Sequence, residues 1–356
     1  MSSQTGSPLA LARPDILALH PYEHALWDPA LERMHANELP WRAPGDNSLA
    51  GLNRYPEPQP RALVDRLAEL YRVARERVLV GRGSDEGIDL LVRAFCRAGT
   101  DAVLITPPTF GMYAVAARIQ GAQLRAASLD SKQDFALDVE AVLAAADPAV
   151  KLVFVCTPNN PTGNALAESR LLELAKALSG RALLVVDEAY GEFSTAPSMS
   201  RHLQDLPNLV ILRTLSKAYG LAGARCGALL ADPEIVQLLR KLIPPYAIPQ
   251  TTVETVLPLM EPVALALMRD RVAILRNERQ RMAQALASSP GVERVWPSDA
   301  NFLLVSFRDP DAAYGRAIGA QLLVRDVRKQ PGLGRALRLT VGTVDQNDRL
   351  LGALLS

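Results

Sequence analysis

The stretch Arg213-Thr214-Leu215-Ser216-Lys217-Ala218-Tyr219-Gly220-Leu221-Ala222-Gly223-Ala224-Arg225 holds the most telling chemical combination in the chain. It contains one lysine, a hydroxyl residue just before it, small residues after it, and an arginine at its end. An amine attacks a carbonyl only when unprotonated, and a tight apolar site favours that form. A guanidinium offers a planar fork that fits phosphate oxygens. A covalent anchor at one end of a ligand and an anion clamp at the other are what a pyridoxal phosphate site requires. Taken alone, the same residues also describe an ordinary surface loop, so the rest of the chain has to decide.

Further chemistry falls at the ends of apolar runs. Leu183-Leu184-Val185-Val186 ends in Asp187-Glu188-Ala189-Tyr190, and Leu152 to Cys156 ends in Thr157-Pro158-Asn159-Asn160-Pro161-Thr162-Gly163. Asp187 is either a turn cap or a carboxylate set against a pyridine nitrogen. Tyr190 and Asn160 are either packing and turn residues or partners of a phenolic oxygen. Phe110 reads as core, or as an aromatic stacked on a flat ligand. Gly81-Arg82-Gly83-Ser84-Asp85-Glu86-Gly87 opens a helix, with Ser84 as its expected N-cap, and a helix start of this kind seats phosphate. Its glycines miss the dinucleotide fingerprint spacing. Arg338 interrupts the apolar run Leu337 to Val341, where a guanidinium needs either a structural ion pair or an anionic ligand.

Strands and helices alternate around these residues. Strands are expected at 78–80, 102–105, 152–156, 183–186, 209–212 and 227–230, with helices at 61–71, 88–95, 110–120, 138–146 and 166–178. The pattern predicts an α/β protein with a mostly parallel sheet covered on both faces. Ligands of such sheets sit beyond the carboxyl ends of the strands, where Phe110, Asn160, Asp187, Tyr190 and Lys217 all fall. Residues 1–45 read as an N-terminal arm that joins the small domain, 46–245 as the large domain, and 246–356 as a smaller α/β domain. The smaller domain is expected to hold a long helix to about 287, strands at 292–296, 301–307, 322–325 and 336–341, and a helix at 311–318. A last helix follows Thr343.

Composition narrows the class. The 356 residues are 49% hydrophobic and 22% charged, with a net charge of +1, which argues against binding nucleic acid or membrane surfaces by bulk charge. Cys96, Cys156 and Cys226 are far apart and show no metal-ligand spacing, so no metal is expected and a reducing, cytoplasmic setting is.

The motifs together resemble the fold-type-I, pyridoxal phosphate-dependent aminotransferases. They are Asn160-Pro161-Thr162-Gly163, Asp187-Glu188-Ala189-Tyr190, Ser216-Lys217 and Arg225, in that order. Further stretches are similar to the histidinol-phosphate aminotransferase family: Ala36-Asn37-Glu38, Asn53-Arg54-Tyr55-Pro56, Gly83-Ser84-Asp85-Glu86, Pro107 to Tyr113, Val324-Arg325-Asp326 and Leu337 to Thr343. The resemblance implies transamination between L-histidinol phosphate and 2-oxoglutarate; an aromatic amino-acid aminotransferase on the same scaffold is the alternative. It implies that Lys217 carries the cofactor and shuttles a proton, that Asp187 pairs with the ring nitrogen, and that Asn160 and Tyr190 bind the phenolic oxygen. Ser84, Asp85, Ser216 and Arg225 would hold the cofactor phosphate, with Tyr55 reaching it from the second subunit of a homodimer. Phe110 stands where the family often has a stacking tyrosine. Arg325 and Arg338, with Tyr22 and Asn37, would bind substrate. After Pro21-Tyr22 the family often carries an arginine, whereas here Glu23, His24, Ala25, Leu26 and Trp27 follow.

Overall fold

Strand burial decides the architecture. The computed structural model describes residues 7–23, 28 and 30–355. Seven strands form one sheet: β1 (Val78–Gly81), β2 (Ala102–Ile105), β3 (Gln123–Ala126), β4 (Val150–Cys156), β5 (Leu183–Asp187), β6 (Leu209–Thr214) and β7 (Gly227–Leu230). Their order is β1-β7-β6-β5-β4-β2-β3. β2 to β6 run parallel, while β7 lies antiparallel to both β6 and β1. The central β5 and β6 are buried along their whole length, as continuous apolar runs covered by helices on both faces must be. β3 is the unexpected strand. Its Gln-Leu-Arg-Ala sequence is half solvated at the sheet edge, where Arg125 pairs with Asp147 at 2.7 Å.

Four antiparallel strands form a second sheet: β8 (Val292–Val295), β9 (Phe302–Phe307), β10 (Arg325–Asp326) and β11 (Ala336–Thr340), ordered β10-β11-β9-β8. Helices Pro262–Ala287, Pro310–Gly319 and Val344–Leu355 cover one face, with Met282, Leu286, Ala313, Ala317, Leu350 and Leu354 packed on Leu337 and Leu339. Alternation along β11 therefore turns Arg338 to the opposite face, toward the large sheet. The strand expected at 322–325 is the two-residue β10 alone, because the chain leaves the sheet again at Val327.

Three expectations about boundaries change. Helix Gln250–Leu259 lies against helix Arg61–Tyr71, with Val253 and Val256 in the same core, and the long helical stretch divides in two. Residues 7–17, expected to join the smaller unit, lie on the large one: Leu9, Leu11 and Ile16 pack there, and Arg13 N–H donates to Ala94 O at 3.0 Å. Ser84 is not the N-cap of helix Ser84–Phe95. Gly83, at φ 85°, takes that place with no side-chain cap.

The two units are fastened beside the strand ends. Ala189, Tyr190 and Phe193 pack on Val272, Ala300 and Phe302. Arg276 of the long helix donates to the carbonyls of Glu192, Phe193 and Ser194. Gly163, at φ 89°, passes so close that a Cβ would lie 2.5 Å from Ser298 Oγ.

Behind the strand ends Arg213 is buried between Glu188, at 2.6 Å, and Glu192, with its guanidinium 4.9 Å from the Tyr71 ring. Arg213→Met strands both carboxylates without their cation and is expected to destabilise the fold by about 3–5 kcal/mol. The urea unfolding midpoint checks this.

Candidate active site

The carboxyl ends of the parallel strands and the inner face of the second sheet enclose a cavity of about 590 Å³. Its walls include Ser84, Asp85, Phe110, Asn160, Asp187, Tyr190, Ser216, Lys217, Arg225, Arg325 and Arg338. These arrive from the connections after β1, β2, β4, β5 and β6 and from the edge strand β10 and its neighbour β11 of the second sheet. Asn160, Asp187 and Lys217 thus sit at or just beyond the carboxyl ends of the parallel strands, while Arg325 and Arg338 project from strands of the second sheet.

Asp187 lies at the floor. Its Oδ1 accepts the Ala189 N–H at 3.0 Å and its Oδ2 accepts the Tyr113 O–H at 2.8 Å. Burial pushes its acid constant up to about 6, against the pull of these two donors, with Asp85 and Glu188 adding smaller upward pushes. The carboxyl group is therefore available as a strong acceptor for a cationic N–H placed in the cavity.

An anion seat occupies one end. Helix Ser84–Phe95 points its uncapped N-terminus there. Ser216 Oγ accepts from Thr214 Oγ1 at 3.0 Å and from Arg225 Nη1 at 3.4 Å. Arg225 Nη2 lies 3.5 Å from Asp85 Oδ2, and a Cβ on Gly83 would lie 3.0 Å from that nitrogen. Glycine at 83 keeps the backbone close enough for helix start, hydroxyl and guanidinium to converge.

Lys217 reaches into the cavity with Nζ 5.7 Å from the Tyr190 ring centroid. Its acid constant is lowered, first by burial and then by the Arg338 cation, with Asp85 and Asp187 opposing. Tyr190 is buried and packs edge-on to Phe302, centroids 5.1 Å apart. Burial raises its phenol well above the usual range.

A second cationic seat faces the first. Arg325 and Arg338 are register partners on β10 and β11. Arg338 Nη1 donates to Asn160 Oδ1, its Nε is buried without a partner, and its guanidinium stacks 5.1 Å from Phe302. Since Asn160 spends its carbonyl oxygen on Arg338, its NH₂ remains as the donor for an oxygen in the cavity.

Three expected site residues lie elsewhere in this chain. Tyr22 is 68% exposed and does not line the cavity. Asn37 and Tyr55 line a separate open recess of about 390 Å³. Tyr55 stacks on Tyr246 with centroids 4.6 Å apart, and its N–H donates to Glu38 Oε1 at 2.6 Å. Residues His24 to Trp27, where the arm departs from the family pattern, lie outside the described residues. Conversely, Met112, Val115, Val327 and Gln330 line the cavity without having been singled out, and Tyr113 supports Asp187 from behind. Tyr113 carried one signal, a hydroxyl on the buried face that it shares with Ala116 and Ala117.

Comparison with known proteins agrees with this geometry. Residues 35–354 match the family model described as aminotransferase class I and II. The chain is 45% identical over 99% of its length to the histidinol-phosphate aminotransferase of Stenotrophomonas maltophilia, covering 98% of that protein. It is 47% identical over 99% of its length to that of Xylella fastidiosa, again covering 98%. The crystal structure of histidinol-phosphate aminotransferase from Sinorhizobium meliloti in complex with pyridoxal-5'-phosphate superimposes with a TM-score of 0.77 at 27% identity, covering 85% of this chain and 82% of that one.

The anion seat makes a direct prediction. Arg225→Ala removes a charged donor and is expected to weaken binding of inorganic phosphate by about tenfold. Calorimetric titration of phosphate into the ligand-free chain measures it.

Proposed function

The chain belongs to the class I and II aminotransferases, and we propose that it transaminates L-histidinol phosphate with 2-oxoglutarate in histidine biosynthesis, giving imidazole acetol phosphate and glutamate. One observation carries the reading furthest: a single cavity holds two separate cationic seats with Lys217 and a buried carboxylate between them. An enzyme that binds a phosphorylated cofactor and an anionic substrate together needs this arrangement.

The residues fit pyridoxal phosphate. The Gly83 cradle, the start of helix Ser84–Phe95, Ser216 and Arg225 suit its phosphate, and the buried Asp187 suits its ring nitrogen. Asn160, through its NH₂, and Tyr190, through its hydroxyl, suit the phenolic oxygen. Phe110 supplies an apolar wall. When bound, this cofactor supplies an aldehyde that receives the amino group and a ring that takes up the electrons released when a proton leaves carbon.

The side chains do the rest. Lys217, whose acid constant is lowered by burial and by Arg338, would anchor the cofactor's aldehyde and, once displaced by the substrate amine, would take the proton from the substrate carbon at Nζ. Nζ would then give that proton back, and one water adding across the C=N bond would release the keto product and leave the amino group behind, closing the first half-reaction. Asp187 would serve as the acceptor for the cofactor's ring N–H. Arg325 and Arg338 hold the phosphate of the amino donor and later the carboxylate of the acceptor, which orients the reacting carbon toward Lys217. Both substrates use one site in turn, so the kinetics are ping-pong.

The same proposal includes a homodimer working in the cytoplasm. Leu31, Met34, Leu39, Trp41 and Leu49 are exposed along the segment that carries Asn37 and Tyr55. A second copy covering that apolar surface would bring Tyr55 to the partner's anion seat. The three cysteines are free and buried, which suits a reducing compartment.

Lys217→Ala is expected to abolish turnover while the chain still folds; undiminished activity would refute the role of its amine. Arg338→Ala is expected to raise KM for histidinol phosphate by about tenfold or more while cofactor retention changes little. Equal loss of both would make Arg338 structural. The deciding experiment follows the visible band of the bound cofactor during separate titrations with histidinol phosphate and phenylalanine. Bleaching at low histidinol phosphate is expected, and a stronger response to phenylalanine would reassign the enzyme to the aromatic amino-acid aminotransferases.

A further inference from the structure

Tyr113 is fully buried, belongs to helix Met112–Gln120, and does not line the cavity. Its ring is clamped on two sides. It stacks on Phe154 of β4, centroids 4.8 Å apart at 14°, and meets Phe110 edge-on at 5.6 Å and 84°. Its hydroxyl ends 2.8 Å from Asp187 Oδ2. One buried ring therefore supports both the aromatic wall and the carboxylate floor of the cavity. Asp187 is 2% exposed, and each of its oxygens has one donor inside the protein: Ala189 N–H on Oδ1 and the Tyr113 phenol on Oδ2. Two donors on two oxygens fix the plane of the carboxylate and leave a lone pair on each for the cavity side.

We propose that Tyr113 is a positioning residue whose phenol keeps the Asp187 carboxylate ionised and turned toward the cavity, ready for a ring N–H. The use made of that carboxylate rests on the aminotransferase reading; the Tyr113–Asp187 coupling itself does not. The chemistry is asymmetric. A donor to a buried carboxylate favours its charged form, and burial alone opposes it. The other groups that act on Asp187 are Asp85 and Glu188, which raise its proton affinity, the buried Cys156 thiol, Tyr190, and Lys217 across the cavity. Among the described residues none of these donates a hydrogen bond to Asp187, so the phenol is the side-chain group that holds the charge in place.

The test is Tyr113→Phe in the full chain, made alone and together with Asp187→Asn. Phenylalanine keeps both ring contacts and deletes one hydroxyl. Asp187 has a folded-state acid constant of about 6, above the usual 3.8, so its contribution to stability is complete below about pH 4 and is lost as pH rises through 6. Without the phenol that loss continues about one pH unit further, a tenfold rise in proton affinity. Thermal midpoints of the cofactor-free protein from pH 4 to 8 therefore diverge between wild type and Tyr113→Phe above about pH 5 and run parallel again above about pH 7. In the Asp187→Asn background the cost of Tyr113→Phe no longer depends on pH. In the loaded enzyme kcat falls about tenfold, with KM for the amino donor within about twofold, and this effect also disappears in the Asp187→Asn background.

A Tyr113→Phe cost that is the same at every pH, or the same pH dependence without Asp187, overturns the coupling. A loaded Tyr113→Phe enzyme with unchanged kcat overturns its role in the reaction. Failure of the wild-type chain to take up pyridoxal phosphate refutes the aminotransferase reading instead, and the stability series on the cofactor-free protein still decides the Tyr113–Asp187 pairing.

Discussion

A carboxylate at the end of a fully buried strand is the constraint on which the rest depends. Asp187 is the last residue of β5, at the centre of the large sheet, with β4 on one side and β6 on the other. A charge there is expensive unless every neighbour is chosen for it. Tyr113 and Ala189 supply donors, while Asp85, Glu188 and burial push toward protonation. The balance leaves Asp187 near the point where a cationic N–H from a ligand decides its state. The parallel strands bring the remaining groups to the same edge without further expense. Cys156 of β4 is the register partner of Asp187, so Asn160 follows one turn later, and Lys217 follows the end of β6 next door.

The second sheet contributes its chemistry through strand alternation. Leu337 and Leu339 are locked into their own core, and that forces Arg338 out toward the large sheet. There it bonds to Asn160, a residue of the opposite unit, so the two walls of the cavity share one hydrogen bond. Arg276, the Gly163–Ser298 approach and the packing of Tyr190 on Phe302 fix the same junction at three other points. The cavity is thus a property of how the two units meet.

Much of this was legible in the sequence because catalytic polarity ends apolar runs. Asp187, Asn160 and Lys217 each follow a continuous hydrophobic strand, and such runs need few assumptions to interpret. β3 was invisible because Gln123 and Arg125 sit at a solvated edge, where no hydrophobic run is required. Ser84 looked like a cap because serine usually is one; here glycine at positive φ turns the chain, and the free helix start is what the site uses. The arm gave no clue to its attachment, since Leu9, Leu11 and Ile16 show no period that names their partner. Tyr113 lay hidden within an apolar helical face, and its hydroxyl acquires meaning only once β4 and β5 are placed beside it.

Charge completes the account. Lys217, Arg225, Arg325 and Arg338 line the cavity against Asp85 and Asp187, so positive charge prevails before any ligand enters. This excess draws in anions, and it also keeps Lys217 short of protons, because Arg338 is the second cause of its lowered acid constant after burial. An anionic group bound at Arg338 cancels that influence and raises the proton affinity of Lys217. Lys217 thus holds its proton less readily while no anion neutralises Arg338, and becomes the stronger base once an anion is bound there. Arg338 therefore couples anion binding on the second sheet to the proton affinity of Lys217, and the two seats work as one electrostatic unit rather than as separate binding sites.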